Sequence, residues 1–257
     1  MYIAAIIQAR MGSSRLPGKV MKEILGKPVL WHLINRLRCS QLIDKIVIAT
    51  TDEAEDEPIL GLAQEMGIDS FAGSEEDVLD RYYQVAKKYG AEVVVRITAD
   101  CPLIDPEITD RIIKHYLDNR DKLDYAHTGL SFPDGLDTEI FSFNALETAW
   151  HEATLASERE HVTPYIKKSG KFRIDTVQCE EDLSHMRWVV DEEKDFQLVT
   201  EILKALYKEG KIFHMKDILD FLSKRPELLE LNKNTVRNEG YLKSLAEDKH
   251  VKAEQNY

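Results

Sequence analysis

The sequence has few cysteines, no long apolar run and no segment that resembles a flexible linker. Its 257 residues include three cysteines, Cys39, Cys101 and Cys179, with no CxxC or other metal spacing. Scattered thiols are typical of a reducing compartment, so we expect a cytoplasmic protein without zinc. No stretch of about 18 apolar residues occurs, and no membrane span is therefore predicted. The first apolar segment is too short, and too poor in preceding basic residues, for a signal peptide.

The absence of a Pro/Gly-rich linker and of internal repeats predicts one α/β domain over residues 1–225. Hydrophobic residues make up 43% of the chain, which is enough for a substantial core. After Pro226 the sequence becomes polar and loses a clear hydrophobic stripe. Residues 226–257 are therefore predicted to be a polar tail that is a marginal helix or disordered.

The net charge of -12 is unevenly distributed along the chain. Residues 1–40 contain seven Lys or Arg and a single acid, Glu23. An acidic protein lacks the basic face that general nucleic-acid binding requires, so we expect no nucleic-acid partner. The cationic segment instead indicates capture of a small polyanion. Arg36 and Arg38, however, fit better on a solvated helix face.

Strand-like and helix-like segments alternate in the first half of the chain. Apolar, β-rich runs at residues 2–8, 45–50 and 92–98 predict buried strands, and apolar residues at helical spacing predict helices between them. This alternation indicates a mostly parallel sheet with helices on both faces, which binds ligands at the carboxyl ends of its strands. The second half is predicted to be mixed. It includes a strand at residues 186–190 that ends just before Asp191.

The loop after the first predicted strand, QARMGSSRLPGK (residues 8–19), is the strongest functional signal. Its two glycines, two serines, two arginines and one lysine predict a phosphate site, because backbone amides and cations both bind anions. The spacing is not that of a P-loop, since five residues separate Gly12 from Gly18 where that motif has four. Val20 also stands where a P-loop has Ser or Thr. An ordinary basic turn is the alternative interpretation.

This loop and five later segments resemble, in the same order, the acylneuraminate/Kdo cytidylyltransferase family, and most closely its branch similar to the spore-coat polysaccharide protein F. The resemblance covers about residues 1–205. It implies a Rossmann-like nucleotide-diphospho-sugar transferase fold, a homodimer, and a reaction of CTP with a sugar acid that gives a CMP-sugar and pyrophosphate. The later segments are GSEEDVLDRY (73–82), VVVRITADCPLIDP (93–106), FPDGLDTEIFS (132–142), SEREHVTPYI (157–166) and RWVVDEEKDF (187–196).

The resemblance also assigns roles to individual positions. Asp100 and Asp191 match the two metal-binding aspartates of the family, and Mg²⁺ favours carboxylate and phosphate oxygens. Both are predicted to follow a strand, where ligands bind, whereas Asp105 before Pro106 fits a helix cap better. Together with Lys19, these two aspartates are the predicted catalytic residues. The residues predicted to bind the nucleotide are Ala9, Arg10, Ser13, Ser14, Arg15, Lys19, Arg81 and Thr98.

The sugar side departs from the better-known members of the family. The Kdo enzymes carry a Gln-Gly-Asp-Glu-Pro-like segment where this chain has TADCP (residues 98–102), so nucleobase or sugar contacts are expected to differ. Asp137 and Glu139 are two residues apart and would share one face of a strand, where both can bind sugar hydroxyls. Arg96 can pair with an acidic acceptor or point outward from its strand. His161 can bind the sugar or have a structural role.

The sequence leaves three functions open. The first is a CTP-dependent enzyme that activates an acidic sugar, such as a nonulosonic or ulosonic acid, for surface-polysaccharide synthesis. The second is a nucleotidyltransferase that uses another nucleoside triphosphate or a non-acidic acceptor. The third is a catalytically silent protein that binds a nucleotide or a sugar. The presence of both aspartates and of the complete loop at residues 8–19, which we call the cationic loop, favours an enzyme.

Overall fold

The computed structural model describes residues 1–233, 235 and 237–254, with side chains as far as residue 248. Within these residues no helix is both long and apolar enough to cross a membrane. The strands are β1 (Ile3–Gln8), β2 (Glu23–Ile24), β3 (Lys27–Pro28), β4 (Lys45–Thr51), β5 (Asp69–Gly73), β6 (Val93–Thr98), β7 (Tyr125–Thr128), β8 (Glu139–Ser142) and β9 (Ile174–Val177). The α-helices are α1 (Val29–Leu37), α2 (Glu57–Met66), α3 (Val78–Tyr89), α4 (Pro106–Asp118), α5 (Phe143–Glu152), α6 (Ala156–His161), α7 (Pro164–Lys168), α8 (Glu193–Leu206), α9 (Met215–Ser223) and α10 (Glu239–Glu254).

A seven-stranded sheet with the order β5-β4-β1-β6-β8-β7-β9 forms the centre of the molecule. β1 lies between β4 and β6 and is parallel to both, with Ile6 opposite Val47 on one side and Arg96 on the other. β5 extends the parallel part, while β8 runs antiparallel to β6 and β7. The predicted mostly parallel α/β fold is therefore confirmed.

Helices cover both faces of this sheet because successive residues of each buried strand point to opposite sides. Ile7 packs with Ile48 on the face that α1, α2 and α4 cover. Ile6 and Val47 belong to the core on the other face, which α3 and α5 cover. Strands buried on both faces explain the nearly continuous apolar runs in the sequence.

The strand predicted at residues 186–190 is wrong. Within the described residues the segment makes one isolated bridge, between Arg187 and Asp134, and lies outside the sheet. The backbone N–H of Trp188 donates to the Asp134 carbonyl at 2.6 Å, and that of Val190 donates to the Asp100 carbonyl at 2.7 Å. Trp188 is fully buried in a third apolar cluster, which also contains residues of α8 and α9 and of the loops that carry Leu103 and Phe132. The apolar pattern thus reflects burial between two loops.

The predicted surface position of Arg36 is also wrong, whereas Arg38 is exposed as predicted. Arg36 is buried, and its guanidinium donates to the carbonyls of Ile104 at 2.7 Å and Phe213 at 2.8 Å. Burial lowers its pKa to about 10. This side chain joins α1 to two loops, because a buried guanidinium needs acceptors and these carbonyls supply them.

The chain beyond Pro226 carries regular structure where the sequence predicts a marginal helix or disorder. A short 3₁₀ helix, Pro226–Glu230, and α10 lie in this part of the chain. We call the described residues 232, 233, 235 and 237–248 the C-terminal strap. The domain boundary at residue 225 stays a prediction, and residues 234, 236 and 255–257 of the predicted tail lie outside the described part of the chain.

We predict that Gly135→Ala destabilises the fold far more than Gly170→Ala. Both glycines have positive φ, 104° and 73°. A Cβ on Gly135 would lie 2.7 Å from backbone atoms of Trp188 and Val189, whereas one on Gly170 meets nothing within 4 Å. Gly135→Ala should cost about 3 kcal/mol or more and Gly170→Ala about 1–2 kcal/mol, as measured by urea unfolding. Equal losses would contradict the close contact.

Candidate active site

The cationic loop leaves the carboxyl end of β1 and folds back on itself. The backbone N–H of Gly18, which has a φ of 66°, donates to the Met11 carbonyl at 3.0 Å. The Asp56 carboxylate anchors the loop by accepting from the N–H of Met11 at 2.6 Å and from the hydroxyls of Thr50 and Thr51. Burial would raise the pKa of Asp56, but these hydrogen bonds outweigh it and lower the pKa. Sequence reasoning missed Asp56, because its acidic stretch, DEAEDE, gives no sign of which carboxylate turns inward.

The three predicted catalytic side chains lie together. Lys19 Nζ is 2.7 Å from Asp100 Oδ2 and 2.5 Å from Asp191 Oδ1. Burial would raise the pKa of Asp100, but the Lys19 ammonium outweighs it and lowers the pKa to about 2. In turn, the two carboxylates raise the pKa of Lys19 against the effect of burial. Lys19 and Asp100 are therefore both charged at neutral pH.

The two carboxylates around Lys19 fit a magnesium ion that takes its remaining ligands from a nucleotide. Asp100 and Asp191 converge on one cation, and Mg²⁺ takes one or two carboxylates together with phosphates and waters. In the described part of the chain, no group of three or more His, Cys, Asp or Glu residues could hold a metal. Asp105 lies apart and caps α4 as predicted, accepting from the N–H of Glu107 at 2.9 Å.

A buried arginine that sequence reasoning missed holds Asp191 in place. Arg187 donates to Asp191 at 3.1 Å, to Asp134 at 2.5 Å and to Asp195 at 3.1 Å. Arg15 adds a further contact to Asp191 at 2.9 Å. Burial would lower the pKa of Arg187, but the Asp195 and Asp134 carboxylates raise it instead. The four-residue spacing from Arg187 through Asp191 to Asp195 is the signal in the sequence that could have indicated this cluster.

Arg81 and Arg10 provide cations at the other end of the cationic loop. Arg81 is 2% exposed, and neither Nε nor Nη1 has a hydrogen-bond partner among the described residues. Burial lowers its pKa. Arg10 pairs with Glu75 at 3.2 Å in a more open position. Because unsatisfied buried donors are costly, the Arg81 guanidinium is suited to donate hydrogen bonds to a ligand oxygen.

The remaining predicted nucleotide residues line the same loop and the adjacent strand end. Ala9 is buried directly after β1, and Ser14 is exposed at the loop surface. The hydroxyl of Ser13 accepts from the N–H of Leu16 at 3.3 Å and so helps to shape the loop. Thr98 is the last residue of β6. The positions agree with a site at the carboxyl edge of the sheet, and the individual roles stay predictions.

Arg96 and Glu139, two of the residues predicted to bind the sugar, pair with each other and are largely buried, and their sugar-binding role stays a prediction. Glu139 is buried at the start of β8 and accepts from Arg96, Lys167 and Tyr125, each at 2.5 Å. Burial would raise the pKa of Glu139, but Lys167 and Arg96 hold it well below its usual range. Asp137 lies in the loop before β8, so the two carboxylates do not share one face of a strand as predicted.

His161 contacts the C-terminal strap, an environment that agrees with the structural alternative. Its Nε2 is 3.0 Å from the hydroxyl of Ser244, which also donates to Glu160 at 2.7 Å. The His161 ring packs edge-on against Tyr241, with 5.1 Å between ring centroids. Both partners of His161, Ser244 and Tyr241, lie beyond position 225, and the sequence alone could not indicate these contacts.

The strap reaches two more of the predicted site residues. Arg237 Nη2 donates to Asp137 Oδ1 at 2.7 Å, and Arg15 Nη1 donates to Glu239 Oε2 at 2.6 Å. Asp137 is on the predicted sugar side, and Arg15 is on the phosphate side. The strap therefore borders both halves of the candidate site.

A parallel sheet with a cationic loop after its central strand and aspartates at its carboxyl edge is the arrangement of a Rossmann-like nucleotide-diphospho-sugar transferase fold. Residues 4–218 match the profile of the family described as Cytidylyltransferase. The chain belongs to this family, as its sequence motifs indicate.

Relatives of nearly the same length support this assignment. The chain is 39% identical over 244 residues to an uncharacterised protein of Methanocaldococcus jannaschii, and the match covers 94% of this chain and 98% of that protein. It is 33% identical over 236 residues to the spore coat polysaccharide biosynthesis protein SpsF of Bacillus subtilis, covering 88% and 95%. The structure is similar to that of a cytidylyltransferase from Leptospira borgpetersenii, with a TM-score of 0.85 and 30% identity over 93% of this chain and 100% of the other.

We predict that Glu139→Gln lowers the free energy of unfolding by about 3 kcal/mol at pH 7, because it leaves buried cations without their anion. The folded-state pKa of Glu139 is lowered, so the difference from wild type should be complete above the ordinary glutamate pKa of about 4.3. It should shrink as the pH falls below that value. The free energy of unfolding of both proteins, measured with urea at several pH values between about 3 and 7, tests this prediction.

Asp118→Asn is the matched control, since Asp118 pairs with Lys114 on the surface. It should leave stability almost unchanged at every pH. If the loss of unfolding free energy in Glu139→Gln does not change with pH, or is no larger than that of the control, the charge of Glu139 does not stabilise the fold.

Proposed function

We propose that this protein is a magnesium-dependent cytidylyltransferase that transfers CMP from CTP to an acidic sugar, a nonulosonic or ulosonic acid, for surface-polysaccharide synthesis. The observation that carries the proposal is the convergence of Lys19, Asp100 and Asp191 beside the cationic loop. Family membership supports CTP as the nucleotide. The homodimer and the cytoplasmic location that the sequence predicts are part of this proposal.

The nucleotide would lie between the cationic loop and the two aspartates. Arg10, Arg15 and Lys19 offset the charge of the triphosphate and of the departing pyrophosphate. The open donors of Arg81 would bind an oxygen of the nucleotide. Magnesium held by Asp100 and Asp191 would neutralise further charge on the phosphate oxygens.

The reaction is an in-line displacement at the α-phosphorus. The sugar hydroxyl forms the new P–O bond, the bond to pyrophosphate breaks, and the hydroxyl proton passes to solvent water. Lys19 and Arg15 stabilise the charge that develops on the leaving group, while the buried Arg187 fixes the orientation of Asp191. The protein thus contributes positioning and electrostatic stabilisation.

On the acceptor side, Asp137 is the accessible carboxylate, with 42% of its side chain exposed. It would accept hydrogen bonds from sugar hydroxyls. Arg96 was the residue whose charge favoured an acidic acceptor, and its pairing with Glu139 removes that argument. A neutral sugar is therefore the second candidate, and the acidic sugar rests on the family resemblance.

A substrate panel tests the proposal directly. Purified protein is incubated with CTP, GTP, UTP or ATP and with acidic or neutral sugars, and pyrophosphate release and product mass are measured. We expect the fastest turnover with CTP and an acidic sugar. Fastest turnover with UTP or GTP and a neutral sugar phosphate would overturn the nucleotide and acceptor assignment but leave nucleotidyl transfer in place.

We predict that Asp100→Asn and Asp191→Asn each reduce turnover roughly a hundredfold or more, because each removes a metal ligand. Each should also weaken Mg²⁺ binding in the presence of CTP, as measured by titration calorimetry, while circular dichroism shows an intact fold. Glu193→Gln is the matched control, since Glu193 is an exposed neighbour that pairs with Lys22. Near-normal rates in either aspartate variant at saturating nucleotide and metal would refute the metal assignment.

A further inference from the structure

The C-terminal strap lies beyond residue 218, where the family match ends, yet hydrogen bonds join both of its ends to the rest of the molecule. At one end the buried side chain of Asn232 donates to the Arg187 carbonyl at 3.0 Å. At the other end Asp248, also buried, accepts from the N–H of Ser157 at 3.3 Å. Between these anchors, Arg237 and Glu239 contact Asp137 and Arg15 of the candidate site.

Arg237, between these two anchors, directs its polar contacts at a single loop. Nη1 donates to the carbonyls of Leu130 at 3.4 Å and Phe132 at 3.2 Å. Nη2 donates to Asp137 at 2.7 Å, and Nε lies 3.4 Å from Asp134. A planar guanidinium with five donors can hold four acceptors at once, which an ammonium cannot do in the same geometry.

The loop that Arg237 holds, residues 130–137, carries the accessible carboxylate of the acceptor side. Asp137 Oδ1 binds Arg237, and Asp137 Oδ2 accepts from the N–H of Gly135 at 3.0 Å. Both oxygens are thus oriented, while the side chain stays partly open to solvent. Asp134, in the same loop, binds Arg187 and so links the loop to the metal side.

We propose that Arg237 is a positioning residue for the acceptor: it fixes residues 130–137 so that Asp137 meets the sugar hydroxyls. This inference rests on the proposed function. Without Arg237 the loop loses contacts to two carbonyls and two carboxylates, and Asp137 keeps the contact from Gly135. Within the described residues, Arg237 itself contacts no residue of the cationic loop. It reaches Asp191 indirectly, through Asp134 and Arg187, so the effect should fall mainly on the acceptor.

The expected signature is a change in one Michaelis constant. Arg237→Ala should raise the KM for the acceptor sugar about tenfold or more, as expected for a lost hydrogen bond to a charged group, and leave the KM for CTP unchanged. Arg237→Lys should not restore the acceptor KM. Lys233→Ala is the matched control, because Lys233 lies in the strap with 63% of its side chain exposed and pairs with Glu230. It should change neither KM.

A second measurement does not depend on activity. Amide hydrogen exchange in residues 130–137 should become about tenfold faster in Arg237→Ala, with β1 and β6 unaffected. In a double-mutant cycle, Arg237→Ala should add little to the acceptor KM of Asp137→Asn, because the proposed effect of Arg237 on the acceptor acts through Asp137.

The outcomes separate this inference from the proposed function. Unchanged exchange in residues 130–137, or equal increases in the KM for CTP and for the acceptor, would overturn the role of Arg237. Inactivity of the wild-type protein with every nucleotide and sugar would overturn the proposed function and the acceptor role with it. The exchange measurement would still decide whether Arg237 holds the loop.

Discussion

The ammonium of Lys19, shared between the carboxylates of Asp100 and Asp191, joins three distant parts of the chain. Lys19 follows β1, Asp100 follows β6, and Asp191 precedes α8. The first two meet because β1 and β6 are adjacent and parallel, so their carboxyl ends lie side by side. Two partly buried carboxylates that share one ammonium would repel each other without it. The architecture of the site follows from this requirement.

A chain of alternating charges continues from that point. Arg187 binds Asp191 and Asp134, and Arg237 binds Asp134 and Asp137. Buried charges are tolerated only when each has a partner of opposite sign and good geometry. Each side chain in this series of ion pairs is therefore held by the next one. The predicted phosphate side and the predicted sugar side of the site thus share one network of ion pairs. Such preorganisation suits phosphoryl chemistry, which depends mainly on positioning and electrostatics.

Sequence reasoning predicted which three charged side chains meet at the candidate site, but it misjudged the residues around them. It placed Lys19, Asp100 and Asp191 together from family motifs and from the rule that ligands bind at strand ends. The expected strand before Asp191 is absent, because the apolar residues there pack around Trp188 between loops. Arg36 was expected on the surface, as most arginines are, but two backbone carbonyls provide acceptors in the interior.

The sequence by itself determined the parallel sheet, the cationic loop and the aspartates at the sheet edge, because these depend on local periodicity and on motifs within short segments. Only the tertiary structure decided which cation neutralises which carboxylate. Arg96 is paired with Glu139 across 43 positions, and Arg237 with Asp137 across 100. A charged side chain carries no local mark of its partner, since pairing depends on distances that exist only once the chain has folded.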